Sequence, residues 1–167
     1  MVTKGNHKLS VTLPSDKEIA LERVFDAPRH LVFAAFTKAE HLRHWWGLFP
    51  GSTMPVCEID ARPGGAWRMV LRGADGNENG FRGEFREIVP PERVTWTFEW
   101  EGLPGHISVD TMSFHEQDGQ TTVRGVTRFA TVEDRDGMLH SGMESGASES
   151  YNQLDEYLTT IARSSLR

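Results

Sequence analysis

The sequence predicts an α+β domain in which a curved antiparallel sheet of about six to seven strands wraps around one long C-terminal helix, with two short helices after the first strand. Residues 56–130 form a succession of alternating segments separated by turn residues, which reads as an antiparallel meander. Residues 134–163 then repeat apolar side chains at steps of three or four, as an amphipathic helix does. A sheet with one apolar face needs a cover, and that helix supplies it.

Taken in order, residues 1–16 form a polar, flexible arm in which a weak strand over 8–13 is stopped by Pro14, and residues 17–167 make up a single domain. Residues 18–26 carry Ile19, Leu21, Val24 and Phe25 and form the first core strand. Asp26 stands ahead of Pro28 as a capping carboxylate, and Leu31, Val32, Ala35 and Phe36 recur at helical spacing behind it. Thr37 and Glu40 make a capping-box pattern for a second short helix that runs through Leu42 and Trp45 and ends at Gly47. The strands that follow are predicted at 56–62, 66–72, 81–89, 94–100, 107–116 and 121–130. Pro63-Gly64-Gly65, Asp75-Gly76-Asn77, Pro90-Pro91, residues 102–105 and Asp118-Gly119 separate them with tight-turn chemistry. The final helix carries Met138, Leu139, Met143, Ala147, Tyr151, Leu154, Leu158 and Ile161.

With 167 residues the chain fits one domain. Its 18 basic and 24 acidic residues leave a net charge of −6, which argues against nucleic acid as a partner because phosphate binding needs clustered positive charge. No stretch approaches the ~20 apolar residues of a membrane span, and residues 1–15 lack a secretory apolar core, so no membrane partner is expected and the cytoplasm is the expected location. The single cysteine, Cys57, excludes an internal disulfide and a thiolate-only metal site. Pro63-Gly64-Gly65 lies between two strands and lacks the helix N-terminus of a phosphate cradle, so no cofactor is indicated.

Residues 23–28 (RVFDAP), 42–47 (LRHWWG), 60–65 (DARPGG), 88–94 (IVPPERV) and 142–146 (GMESG) occur in an order that resembles the heat-shock protein 90 ATPase activator homologue-like branch of the START-like (SRPBCC) superfamily. The resemblance covers residues 19–161. It implies a helix-grip fold with a cavity between sheet and long helix. It leaves function open, since the superfamily hosts lipid and polyketide binders, aromatase/cyclases, toxin-resistance proteins and co-chaperone domains. Similar proteins carry Trp or Met after the second glycine of the 142–146 motif, where this chain has Ala147, a change that enlarges any pocket there.

Trp67, Met69 and Leu71 alternate on one strand, and Val94, Trp96, Phe98 and Trp100 on another. One reading is solid core. The other is a ligand cavity, because large side chains opposite Gly142, Gly146 and Ala147 leave space. The cavity candidates are Trp46, Trp67, Met69, Phe85, Trp96, Phe98, Trp100, Asp110, Met112, Met143, Ala147 and Tyr151. Asp110 is the unusual one: period two from Met112 and Phe114 places it on the inner face, where a carboxylate must be paired, hydrogen-bonded or protonated, while a shift of one residue turns it to solvent. His41 and His44 lack the third ligand and the spacing of a zinc helix, so no metal is expected, and the Trp45-Trp46 pair is read as a plug at the cavity entrance. No catalytic set can be assembled from the sequence. The leading expectation is binding of a small hydrophobic or aromatic molecule. The alternatives are a cyclase, aromatase or hydrolase using Asp110 with Tyr151 or His106, and a chaperone-associated interaction module. A homodimer through sheet edges or the exposed helix is compatible with all three.

Overall fold

The structure, a computed structural model, describes residues 7–165, with side chains to Ala162; the outer part of the expected arm, residues 1–6, lies outside the described residues. Among the described residues eight strands form one antiparallel sheet: β1 (Ser10–Thr12), β2 (Glu18–Phe25), β3 (Thr53–Ile59), β4 (Ala66–Arg72), β5 (Glu78–Val89), β6 (Arg93–Trp100), β7 (Ser108–Gln117) and β8 (Gln120–Arg128). Their spatial order is β1-β2-β8-β7-β6-β5-β4-β3, so the meander runs from β3 to β8 and the first core strand closes against the last. The extra strand is β1, the weak strand of the arm, which pairs with β2 through Ser10↔Glu22 and Thr12↔Ala20.

Between β2 and β3 lie the two short helices, α1 (Arg29–Thr37) and α2 (Ala39–Leu42). Neither is capped as its sequence predicts. Asp26 accepts from His7 Nε2 at 3.1 Å and from Gln120 at 2.7 Å, while the start of α1 is held from across the domain, with the Arg29 amide donating to Glu116 of β7 at 2.7 Å. Thr37 turns its hydroxyl back to the Phe33 carbonyl four residues earlier, a competing local bond that leaves Lys38 as the cap position of α2. Helix α2 ends at Leu42, and tight turns carry the chain on to Gly47, whose positive φ of 64° closes them.

The long C-terminal helix predicted over 134–163 is two helices. Helix α3 (Val132–Leu139) starts at Thr131, whose hydroxyl accepts from the Asp134 amide, and α4 (Met143–Ser165) follows a break at Gly142, where φ is +84°. A glycine in that conformation terminates one helix and redirects the chain into the next. Helix α4 lies on the inner face with Leu154 and Leu158 fully buried, and Tyr151 meets Phe25 and Phe36 edge to face at 5.6 and 6.1 Å. Among the described residues no helix is long and apolar enough to cross a membrane.

Arg23 clamps sheet to helix. It occupies the inner register of β2 with only 4% of its surface exposed, donates from Nη1 to Asn152 at 2.7 Å, and places Nη2 3.5 Å from Asp155, both on α4. Its guanidinium also stands 5.3 Å above the Phe25 ring.

Candidate functional site

The inner face of the sheet does not pack solid. A hollow of about 80 Å³ lies between β4–β7 and the short-helix segment. Seven of the twelve candidates line it: Trp67 and Met69 from β4, Phe85 from β5, Trp96 and Phe98 from β6, Asp110 from β7, and Trp46 from the turns after α2. Phe36 of α1, Leu42 of α2 and Ile59 of β3 complete the wall. Phe36 and Leu42 were legible only as the apolar stripe of their helices; nothing in their spacing distinguishes a cavity wall from packed core.

Trp67 holds its place by donating from Nε1 to the Thr97 carbonyl at 3.1 Å, a bond that crosses Gly83 on the intervening strand. Trp46 leans on Phe81 at 5.2 Å and on Phe98 at 6.4 Å, and stays half-buried. Of the pair expected as a plug, the two tryptophans take different places. Trp45 is 1% exposed and donates to the Ala35 carbonyl at 3.0 Å, so it belongs to the core and Trp46 alone borders the hollow.

The other five candidates lie elsewhere. Trp100 ends β6, donates to Asn79 at 3.2 Å and is 42% exposed; its ring falls across Gly102, where the missing side chain leaves room, and so points away from the hollow. It borders an outer groove with Arg68, Arg72, Glu78 and Glu101, whose charges pair with each other as Arg68–Glu101 and Arg72–Glu78, both at 2.7 Å. Such a ladder is a solvated sheet face. Met112 is buried, with its sulfur over Gly125 of the neighbouring strand. Met143 and Ala147 are partly buried on α4 without reaching the hollow, and Tyr151 is spent on aromatic packing. Gly146, Ser150 and Gln153 of α4 face the loop around Gly47 instead: a side chain at Gly146 would meet Phe49, Ser150 accepts from the Gly47 amide at 2.7 Å, and Gln153 donates to the Leu48 carbonyl at 2.5 Å.

Asp110 takes the inner register, one face with Ser108, Met112 and Phe114. It stands directly between Trp96 on β6 and Thr127 on β8, and both donate to it: Trp96 Nε1 to Oδ2 at 2.9 Å, and Thr127 Oγ1 to Oδ1. Burial pushes its carboxyl from 3.8 up to about 6, and the two hydrogen bonds draw it back in part. Because the folded chain then binds this proton more tightly than the unfolded one, the group favours folding most below pH ~4, and that advantage is lost as pH rises through about 6. Asp110→Asn removes the charge, and its amide keeps an acceptor for the Trp96 indole and turns its NH2 group to the Thr127 hydroxyl, with weaker, uncharged hydrogen bonds. The variant is expected to exceed wild type in stability at pH 8 by about 1–2 kcal/mol and to flatten the change between pH 4 and 7. Urea midpoints at both ends check this, and a variant weaker than wild type at pH 8 contradicts it.

Tyr151 is held neutral, its hydroxyl pushed up by burial and by the charge of Asp110. His106 is exposed and bonded to Asp134 at 2.7 Å, so neither expected partner of Asp110 lines the hollow. His41 and His44 converge on Tyr157: His41 Nδ1 lies 2.6 Å from its hydroxyl, and the His44 ring stacks on it at 5.0 Å. Among the described residues no three His, Cys, Asp or Glu side chains form a metal-binding group. The Cys57 thiol is pushed up by burial and faces the Ala39 carbonyl at 3.7 Å, the opposite of an activated nucleophile.

The chain is similar in structure to several bacterial proteins. A Rhodobacter sphaeroides crystal structure has a TM-score of 0.86 at 25% identity, covering 92% of this chain and 99% of that one. A Chromobacterium violaceum structure has a TM-score of 0.71 at 27% identity (86% and 98% covered), and a Mycobacterium smegmatis structure 0.79 at 24% (89% and 95%). No curated protein matches the chain. The fold is of a ligand-binding type in general. The family model for Activator of Hsp90 ATPase homolog 1-like protein matches residues 26–159, and the chain belongs to that family, within the START-like group of helix-grip domains.

Proposed function

We propose that this protein binds a small molecule with an apolar, aromatic body in the hollow lined by Trp46, Trp67, Trp96 and Phe98. The observation that carries the reading is an aromatic-walled space of about 80 Å³ with one carboxylate, Asp110, on its wall. Ligand sites have this composition: apolar area supplies affinity and a few polar groups fix orientation. The volume is about half of the ~150 Å³ apolar cavity that accepts benzene in another protein, so an aromatic guest requires one wall to yield. Trp46 is the wall to move. The sheet residues are fixed by strand pairing, whereas Trp46 is half-buried on a turn that ends at Gly47.

An enzymatic reading needs a second proton-transfer group beside Asp110, and Tyr151 and His106 do not reach the hollow. Binding without turnover is the simpler use of the same wall. With benzyl alcohol as probe, Trp46→Ala is expected to speed both entry and exit severalfold while leaving the fold intact, read by NMR line shapes. Equal exchange rates in variant and wild type would deny Trp46 its gating role. Failure of both proteins to bind either benzyl alcohol or its amine counterpart, benzylammonium, would remove the proposed function.

A further inference from the structure

Among the described residues no cationic side chain pairs with the Asp110 carboxylate. Both hydrogen bonds it receives come from neutral donors, an indole and a hydroxyl, and no ion pair to it is formed among the described residues. Arg23, the buried arginine of the same inner face, is committed to Asn152 and Asp155 on α4. A carboxylate has about four acceptor sites, of which these bonds fill two. It borders a space walled by Trp46, Trp67, Trp96, Phe36, Phe85 and Phe98, rings whose faces carry negative potential. Among the described residues the wall of the hollow therefore carries one carboxylate and no cationic side chain. Water and neutral guests leave that charge uncompensated; a guest bearing positive charge satisfies it with a charge-assisted hydrogen bond to Asp110 and contact with the rings.

The geometry points to a small organic cation as the ligand class: a primary or substituted ammonium group seated against Asp110, with its apolar body among the tryptophans. This rests on the small-molecule reading above and narrows it. The limited volume fits the ammonium head and its first carbons before Trp46 moves, so amines of modest size are favoured over bulky ones.

Benzylammonium and benzyl alcohol are nearly isosteric and differ in charge, so calorimetric titration of the full chain with each at pH 8 separates the charge from the apolar body. Wild type is expected to prefer benzylammonium by at least about tenfold, the scale of one charge-assisted hydrogen bond. In Asp110→Asn, whose folding is checked by thermal melting, that preference is expected to vanish while benzyl alcohol still binds. Thr127→Val retains the carboxylate but removes one of its donors, and is expected to keep or raise the preference. Equal affinity of wild type for both probes, or a cation preference that survives in Asp110→Asn, would overturn the cation assignment and leave the small-molecule reading standing. Failure of both probes to bind wild type and Trp46→Ala alike would overturn both.

Discussion

Arg23→Ala is expected to lower stability by about 3 kcal/mol, the scale for removing one partner of a buried charge pair. The arginine links the inner face of β2 to Asn152 and Asp155 on α4, and its loss takes the cation away from beside the Asp155 carboxylate, which is only 5% exposed. The paired change Arg23→Met with Asp155→Leu replaces both charges by apolar groups and is expected to lie within about 1–2 kcal/mol of wild type, since the two desolvation penalties disappear together. A double-mutant cycle in urea measures the difference, with a coupling of at least about 1 kcal/mol expected. Strictly additive losses would mean that the clamp does not act as a unit. Burial lowers the pKa of the guanidinium and Asp155 opposes that shift.

Gly83→Ala is expected to be comparably damaging, at about 2–4 kcal/mol, by a different route. A methyl group there would lie 1.9 Å from the Thr97 carbonyl oxygen and 2.5 Å from Trp67 Nε1. It would therefore break the indole hydrogen bond that fixes one wall of the hollow, and the obstructing carbonyl belongs to a strand that cannot step aside. Gly137→Ala on α3 is the control: a methyl there meets nothing within 4 Å, and helix propensity favours alanine by about 0.5–1 kcal/mol. Thermal melting of the two variants should move in opposite directions. A Gly83→Ala protein as stable as wild type would show that Trp67 has an alternative seat.

These two residues also mark the limits of what the chain reveals before folding. The sheet and its helix were readable because period two over 56–130 and steps of three or four over 134–163 express which faces are buried. Trp67, Met69, Trp96, Phe98 and Asp110 follow from the same alternation, and they line one space. Gly142 was misread because a glycine inside a helical pattern reads as a tolerated defect, whereas its backbone is left-handed and splits the helix. Gly146 was matched to the wrong neighbour: contact depends on crossing geometry, and with Ser150 it receives the loop around Gly47 instead of facing the aromatics of the hollow. Thr37 and Asp26 carry capping chemistry that other partners divert, a carbonyl of the preceding turn for Thr37 and Gln120 across the sheet for Asp26. Arg23 appeared only as a motif letter, although its inner register alongside Ile19, Leu21 and Phe25 was the available sign of a buried charge. Trp100 shows that alternation fails at a strand's last residue, where the following turn chooses the direction.

The hollow itself is best examined through the tryptophan indole N–H signals, one per residue, in a nitrogen-15 correlation spectrum during titration with benzylammonium. Trp46, Trp67 and Trp96 border the space, while Trp45 lies in the core beneath it and Trp100 stands on the outer groove, so the five resonances contain their own controls. The expected result is saturable movement of the first three with Trp100 unmoved. Movement of Trp100 alone, or of none, would contradict an interior that admits a guest.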